Sequence, residues 1–213
     1  MKKLFIKPVN ELIYLNNSVI RIRFSDSVVY RNFIINLDDN IILSIDDSPI
    51  NYQTKTLVIL NPLNIELNDK KTLSLLYKKL SYRVSETIQK KIINIEKEIF
   101  DLIETLSIES SCALEYTDSF DLTKILQMNQ VTLQEVKKDC YLECILTYIK
   151  INCELYNYSI VLSFGLTLLL TKEELTVLEN ELAINQICIV DFYLNNSNQA
   201  IDYLLIDNDW NKL

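Results

Sequence analysis

Leu73, Leu76, Leu80, Val84, Ile88, Ile92, Ile95, Ile99, Leu102 and Leu106 follow one another at intervals of three and four, with no Pro or Gly among them. That spacing gathers the apolar side chains on one stripe of an α-helix and leaves the polar ones behind it. The pattern predicts one helix from about Thr72 to Ile108, which at 1.5 Å per residue spans roughly 50 Å. A compact chain of this size is only about 44 Å across, so the helix is expected to project as an arm. An apolar stripe on a projecting arm must be covered by a neighbouring helix or a second subunit. Closed symmetry is the usual means, and the expectation is a homo-oligomer, most simply a tetramer.

Before this helix the pattern changes period. Val19, Ile20, Ile22 and Phe24 alternate with Arg21 and Arg23, which reads as a half-exposed strand over Ser18 to Phe24. Ser25 is placed to cap a helix over residues 26–37, ended by a turn at Asp38-Asp39-Asn40. Ile41 to Ile45 reads as a strand, Asp46 to Pro49 as a turn, and Thr56 to Leu60 as a buried strand. After the long helix, a short helix is expected over Leu122 to Met128 and another over roughly Lys137 to Leu155, long enough to pack back along the arm. Ser159 to Phe164 then reads as a strand, and Thr171 to Glu174 as a capping box that opens a helix to about Asn185. Ile187 to Leu194 and Tyr203 to Ile206 read as the last strands.

Strands are thus expected only before residue 61 and after residue 158. That distribution predicts an α/β head assembled from residues 1–68 and 156–213, with a helical leg, residues 69–155, inserted between its halves.

Charge sharpens the reading of the arm. Lys79, Arg83, Lys90 and Lys97 fall in one line opposite the apolar stripe of a continuous helix, and residues 69–98 carry a net charge of +4 in a chain of −8. A basic strip of this kind suits the phosphates of duplex DNA. The alternative is a solvated face held by i,i+4 pairs, on a scaffold that docks other helices and binds no nucleic acid.

Composition removes several chemistries. The chain has no His, which excludes Ser-His and Cys-His nucleophilic systems and imidazole metal sites. It has one Gly, Gly165, so neither GxxxxGK[ST] nor GxGxxG can be built, and no nucleotide cofactor is expected. Asn61 to Asp69, where a phosphate loop would sit, has no Gly and begins Asn61-Pro62. Cys112, Cys140, Cys144, Cys153 and Cys188 lack CxxC spacing and read as small hydrophobes. No stretch approaches 18 uninterrupted apolar residues and no signal-peptide run opens the chain, so a soluble, cytoplasmic protein without membrane partners is expected.

What remains is carboxylate chemistry. Glu104, Glu109, Glu115, Asp118 and Asp121 cluster around the bend after the long helix. Such a group can hold a hard cation, and the carboxylates from Glu115 to Asp121 could then serve a metal-dependent nuclease or phosphohydrolase. The plainer alternative makes Asp118 or Asp121 a helix N-cap.

From Leu114 to Gln127 the run Leu-Glu-Tyr-Thr-Asp-Ser-Phe-Asp-Leu-Thr-Lys-Ile-Leu-Gln resembles the segment joining the helices of the short-form, ring-forming adaptation proteins of type II-A CRISPR systems. Ser159 to Phe164, Leu169 to Glu174, Ile187 to Phe192 and Asp202 to Asp209 follow that family's order and spacing, and Asn10 to Leu15 resembles its start. The resemblance implies a degenerate P-loop-ATPase-like head bearing a helical leg, four copies closing around double-stranded DNA, and a non-enzymatic part in spacer acquisition beside the other CRISPR adaptation proteins. It also implies calcium held near the leg, for which Glu109, Glu115, Asp118 and Asp121 are the positional candidates. The chain departs from the family at Ser110, Ser111 and Ala113, where acidic residues are usual, and at Tyr156-Asn157-Tyr158, where a basic run is usual.

Overall fold

The computed structural model describes residues 1–16, 18–110, 114, 121–134, 140–195 and 204–212. They form two compact units: Met1–Leu67 together with Glu135–Leu213, and Asn68–Gln134.

The first unit opens with strands β1 (Lys2–Ile6), β2 (Glu11–Tyr14) and β3 (Val19–Phe24), then helices α1 (Ser27–Ile35) and α2 (Leu37–Asn40). Strands β4 (Ile41–Ile45) and β5 (Ser48–Ile50), helix α3 (Tyr52–Lys55) and strand β6 (Leu57–Ile59) complete its N-terminal part. The second unit contains α4 (Lys70–Tyr82), α5 (Glu86–Ser110) and α6 (Leu122–Met128). The chain returns to the first unit with α7 (Tyr141–Tyr156), β7 (Ile160–Phe164), a 3-10 turn (Leu166–Leu169), α8 (Lys172–Ile184), β8 (Cys188–Leu194) and β9 (Leu204–Ile206).

Two sheets organise the first unit. A parallel sheet runs β6-β7-β8-β3-β9, and an antiparallel one runs β2-β1-β4-β5. Because side chains alternate along a strand, the parallel sheet feeds two cores, one on each face. Ile20, Ile22 and Phe24 join Val190, Phe192 and Leu162 against α1 and the antiparallel sheet's Leu4, Ile6, Ile13 and Leu43. On the opposite face Val161, Ile189, Leu57 and Ile59 pack with Ile145, Ile149 and Cys153 of α7 and Leu178 and Leu182 of α8. The unit is therefore a mixed α/β sandwich with the parallel sheet in the middle layer.

Several expectations are corrected. Val19–Phe24 is a central strand rather than a half-exposed one, and Arg21 and Arg23 are 9% and 6% exposed. Their alternation imitates a surface strand, but Arg21 lies opposite the fully buried Asp191 in the β3–β8 register, so the polar face of this strand is turned inward as well. The first sixteen residues supply two strands that short runs such as Lys-Lys-Leu-Phe-Ile did not announce. Asp26, not Ser25, caps α1, accepting from the amides of Val28 at 2.8 Å and Val29 at 2.9 Å. Asp38-Asp39-Asn40 is helical.

Helix α7, assigned from its period to the leg, packs on the parallel sheet instead. Ile145 and Ile149 are fully buried there, and burial of one such side chain contributes about 1.5–3 kcal/mol.

The largest correction concerns the long helix. It breaks at Arg83, which leaves the helical region with ψ 39°, and α5 begins at Glu86. The amide of Ile88 reaches back to Ser85 Oγ at 3.4 Å, and that of Gln89 donates to the Ser85 carbonyl at 2.9 Å. Ser85 thus starts a new helix where the apolar period runs on unbroken.

With a single Gly, other residues take the left-handed turns. Asn10, Asp46, Asp47, Gln130, Asn157, Gln186 and Trp210 all have positive φ. Among the described residues no helix is long and apolar enough to cross a membrane.

Candidate nucleic-acid interface

The second unit carries the basic residues singled out in the sequence. Asp69 opens α4 by accepting from the amides of Lys71 at 2.9 Å and Thr72 at 3.0 Å, the hydrogen bonds an N-cap supplies to otherwise unpaired donors. Tyr77, 5% exposed, is the anchor of the unit, its hydroxyl donating to the Val131 carbonyl at 2.5 Å. Asn68 and Leu133 exchange two hydrogen bonds, side-chain amide to carbonyl at 3.1 Å and backbone amide to Oδ1 at 2.9 Å. Ser81 and Thr123 join α4 to α6 through their hydroxyls at 3.0 Å.

On this scaffold the predicted basic line divides. Lys79 stands in α4 and Arg83 is its C-cap, whereas Lys90 and Lys97 belong to α5. The two α5 lysines, seven residues apart, lie on one face of their helix. Both are exposed and neither has an ion-pair partner among the described residues. Ammonium groups set this way can meet phosphate oxygens as point charges.

The other face of α5 is apolar and uncovered. None of its 25 residues is buried. Ile88 is 48% exposed, Ile95 46%, Ile99 39%, Leu102 58% and Leu106 48%. With Ile92 these positions alternate steps of four and three, the 3.5-residue repeat of a helix that packs along its length on another.

The expected cation site is only half described. Glu109 is exposed in the last turn of α5, and Asp121 caps α6 by accepting from the Thr123 amide at 2.9 Å. Glu115 and Asp118 lie outside the described residues. Among the described residues no three Asp, Glu, Cys or His side chains gather to hold a metal ion. Glu109 and Asp121 alone do not supply the six to eight oxygens of a calcium shell.

The loop where a phosphate cradle was sought follows β6, an edge strand. Two of its amides are turned inward: Leu63 donates to Asn61 Oδ1 at 3.2 Å and Asn64 to the Asn61 carbonyl at 3.1 Å. Tyr141 closes it from α7, its hydroxyl donating to the Pro62 carbonyl at 2.9 Å.

Sequence reasoning passed over the most polar feature of the first unit. Asp191, fully buried in β8, accepts four hydrogen bonds from Ser163, Leu166 and Thr167. Burial pushes its carboxyl above the usual range, and these four donors oppose the shift. The signal lay in a lone acid inside the apolar run Ile-Cys-Ile-Val-Asp-Phe-Tyr-Leu. The donor set fills the carboxylate's acceptor capacity, which makes Asp191 a brace for the turn after β7.

No curated protein matches the chain. The family model for CRISPR-associated protein (Cas_Csn2) matches residues 33–210, a span that takes in the sheets from α1 onward and the whole helical unit.

Proposed function

The chain belongs to the Cas_Csn2 family of CRISPR-associated proteins of type II-A systems, which gives it a part in CRISPR adaptation, and we propose that it acts there as a non-enzymatic ring on double-stranded DNA. In this reading the first unit is a degenerate P-loop-ATPase-like head and the helical unit is the leg. Four copies close into a homotetramer, loading on DNA ends without regard to sequence and working beside the other CRISPR adaptation proteins.

One observation carries the DNA reading: the exposed pair Lys90 and Lys97 on one face of a helix whose other face is apolar and unburied. The apolar seam gives a second copy something to pack on, and the lysine face then remains for phosphates. Lys79 and Arg83 extend the basic surface from α4. The inward-turned amides of the loop after β6 support a head that binds no nucleotide. Calcium stays within the proposal as an ion held by Glu109, Glu115, Asp118 and Asp121 together, since the two described carboxylates do not form a site alone. Its role would be electrostatic, neutralising carboxylates that otherwise repel at the bend.

Topology separates a ring from a surface groove. Linear duplex and covalently closed circles of the same sequence, offered to purified protein in gel-shift and filter binding, should differ, with binding to linear DNA alone. Equal affinity for both forms would sink the ring, and no affinity for either would sink the DNA reading.

A further inference from the structure

The first unit holds a cavity of about 500 Å³ that shares no residue with the proposed DNA surface. It opens where the start of β1, the ends of β2 and β4, the starts of β3 and β8 and the end of α8 come together. Leu15, Ile45, Ala183 and Ile187 make its apolar wall, and Lys2, Ser18 and Gln186 bring polar atoms to it.

Lys2 is the unusual member. Its Nζ donates to the Gln186 carbonyl at 2.8 Å and to the Ser159 carbonyl at 3.1 Å. An ammonium has three donors, so one is left over. Both acceptors are neutral carbonyls, and among the described residues no carboxylate pairs with this half-buried cation. Asp46, the acid in the same lining, is taken by the amine of Met1. The Cys188 thiol of the lining and the Cys153 thiol nearby are themselves buried and held neutral. Desolvation accordingly lowers the Lys2 pKa, as expected of a cation without a counter-charge.

We propose that this cavity is a binding site for a small organic carboxylate with a short apolar body, its carboxylate on Lys2 Nζ and its body against Leu15, Ile45, Ala183 and Ile187. The volume falls within the range of about 300–1,000 Å³ typical of small-molecule sites. With the Met1 amine taken up by Asp46, the one ammonium of the lining left without a carboxylate, Lys2, selects for one negative charge. The lining offers no Arg fork or row of turned amides, which is what phosphate recognition uses. The apolar wall rewards a hydrocarbon body over a compact polar acid. Lys2 also fastens β1 to the end of α8 through Gln186, and this structural role predicts no ligand preference.

Octanoate and its neutral counterpart 1-octanol are the probes. On the intact protein with isoleucine methyls labelled, octanoate should shift Ile45 and Ile187 with a millimolar or tighter Kd, about tenfold below that for octanol. Lys2→Met keeps the aliphatic stem and should erase that preference, while Ala183→Phe should fill the space and abolish both interactions with Lys2 intact. Failure of octanoate to move those methyls at about 10 mM, a Kd equal to that of octanol, or unchanged octanoate binding in either variant overturns the proposal. The octanol comparison and Ala183→Phe keep the test decisive in the event that Lys2→Met does not fold.

Discussion

Ser163 and Asp191 meet across neighbouring strands, the hydroxyl donating to the carboxylate at 2.7 Å in a wholly buried setting. The same carboxylate takes the Leu166 amide at 3.0 Å, the Thr167 amide at 2.9 Å and the Thr167 hydroxyl at 2.5 Å. It thereby fixes the turn at Gly165, whose positive φ of 79° sets the chain's direction after β7. Removing one side chain strands four buried donors, each costing about 1–3 kcal/mol when unsatisfied. Asp191→Ala should therefore lose at least ~3 kcal/mol in urea unfolding, and Asp191→Asn clearly less. A loss below about 1 kcal/mol for the alanine would show that water replaces the carboxylate.

Gln130 occupies a position that favours glycine. At φ 49° it follows α6 as the left-handed residue of a Schellman ending, with its amide on the Gln127 carbonyl at 3.0 Å and that of Val131 on Leu126 at 3.1 Å. The left-handed conformation costs an L-residue roughly 1–2 kcal/mol, offset in part by glycine's greater freedom when unfolded. Gln130→Gly is expected to stabilise by about 0.5–1 kcal/mol, read as a higher thermal midpoint. Gln130→Val should destabilise, because a β-branched residue resists positive φ most.

How much of this was legible follows from what each signal encodes. Thr171-Lys-Glu-Glu announced a capping box, and the structure has both reciprocal bonds, Glu174 amide to Thr171 Oγ1 at 3.2 Å and Thr171 amide to Glu174 at 2.8 Å. Such a signal is local and survives any tertiary context. The α4–α5 break was hidden because periodicity records which face is apolar, not whether the backbone continues. Val84 keeps the stripe in phase through the gap, and only Ser85, a good N-cap residue, hinted at a restart. Arg21 and Arg23 misled for a related reason: alternation shows that two side chains share a face of the strand, not whether that face meets water or the interior, and both are buried. Likewise α7 carried a proper apolar face, yet nothing in its period said which unit would cover it. For the proposed DNA site the sequence identified residues, while the grouping of Lys90 with Lys97, apart from Lys79 and Arg83, needed the backbone.

Two buried thiols and two partly buried phenols predict lability in alkali. Burial pushes Tyr30 and Tyr141 from 10.0 to about 12, with the Asp191 charge adding to the effect in both. Burial also pushes the Cys153 and Cys188 thiols from 9.0 to about 12, against the opposing pull of Lys2. These groups stay neutral in the fold but ionise earlier in the unfolded chain, so the unfolded state binds fewer protons between about pH 9 and 12. Stability should hold below pH 9 and fall as pH rises through this window, each group contributing at most about 1.4 kcal/mol per pH unit and the more exposed tyrosines less. Cys153→Val removes one titrating group without emptying its site and should make the decline shallower. An identical pH profile for this variant would remove Cys153 from the account.

The break at Arg83 turns the proposed DNA interaction into a question about two rows. Lys90 and Lys97 share a face of α5, while Lys79 and Arg83 end α4. Every cation removed from a phosphate should lower the slope of log affinity against log salt by about 0.9, so Lys90→Glu with Lys97→Glu should lower it by roughly 1.8. Interactions of this kind carry no base information, and the change must be the same on duplexes of unrelated sequence. Lys79→Glu with Arg83→Glu provides the comparison. An equal drop in slope would show both rows on the phosphates at once, and an unchanged slope would confine DNA binding to α5. Oligomer mass by light scattering should stay constant throughout, because the apolar seam from Ile88 to Leu106 lies on another face of the helix. Loss of mass together with affinity would mean that the lysines hold subunits together rather than DNA, and unchanged affinity in the α5 double variant would remove this helix from the DNA surface.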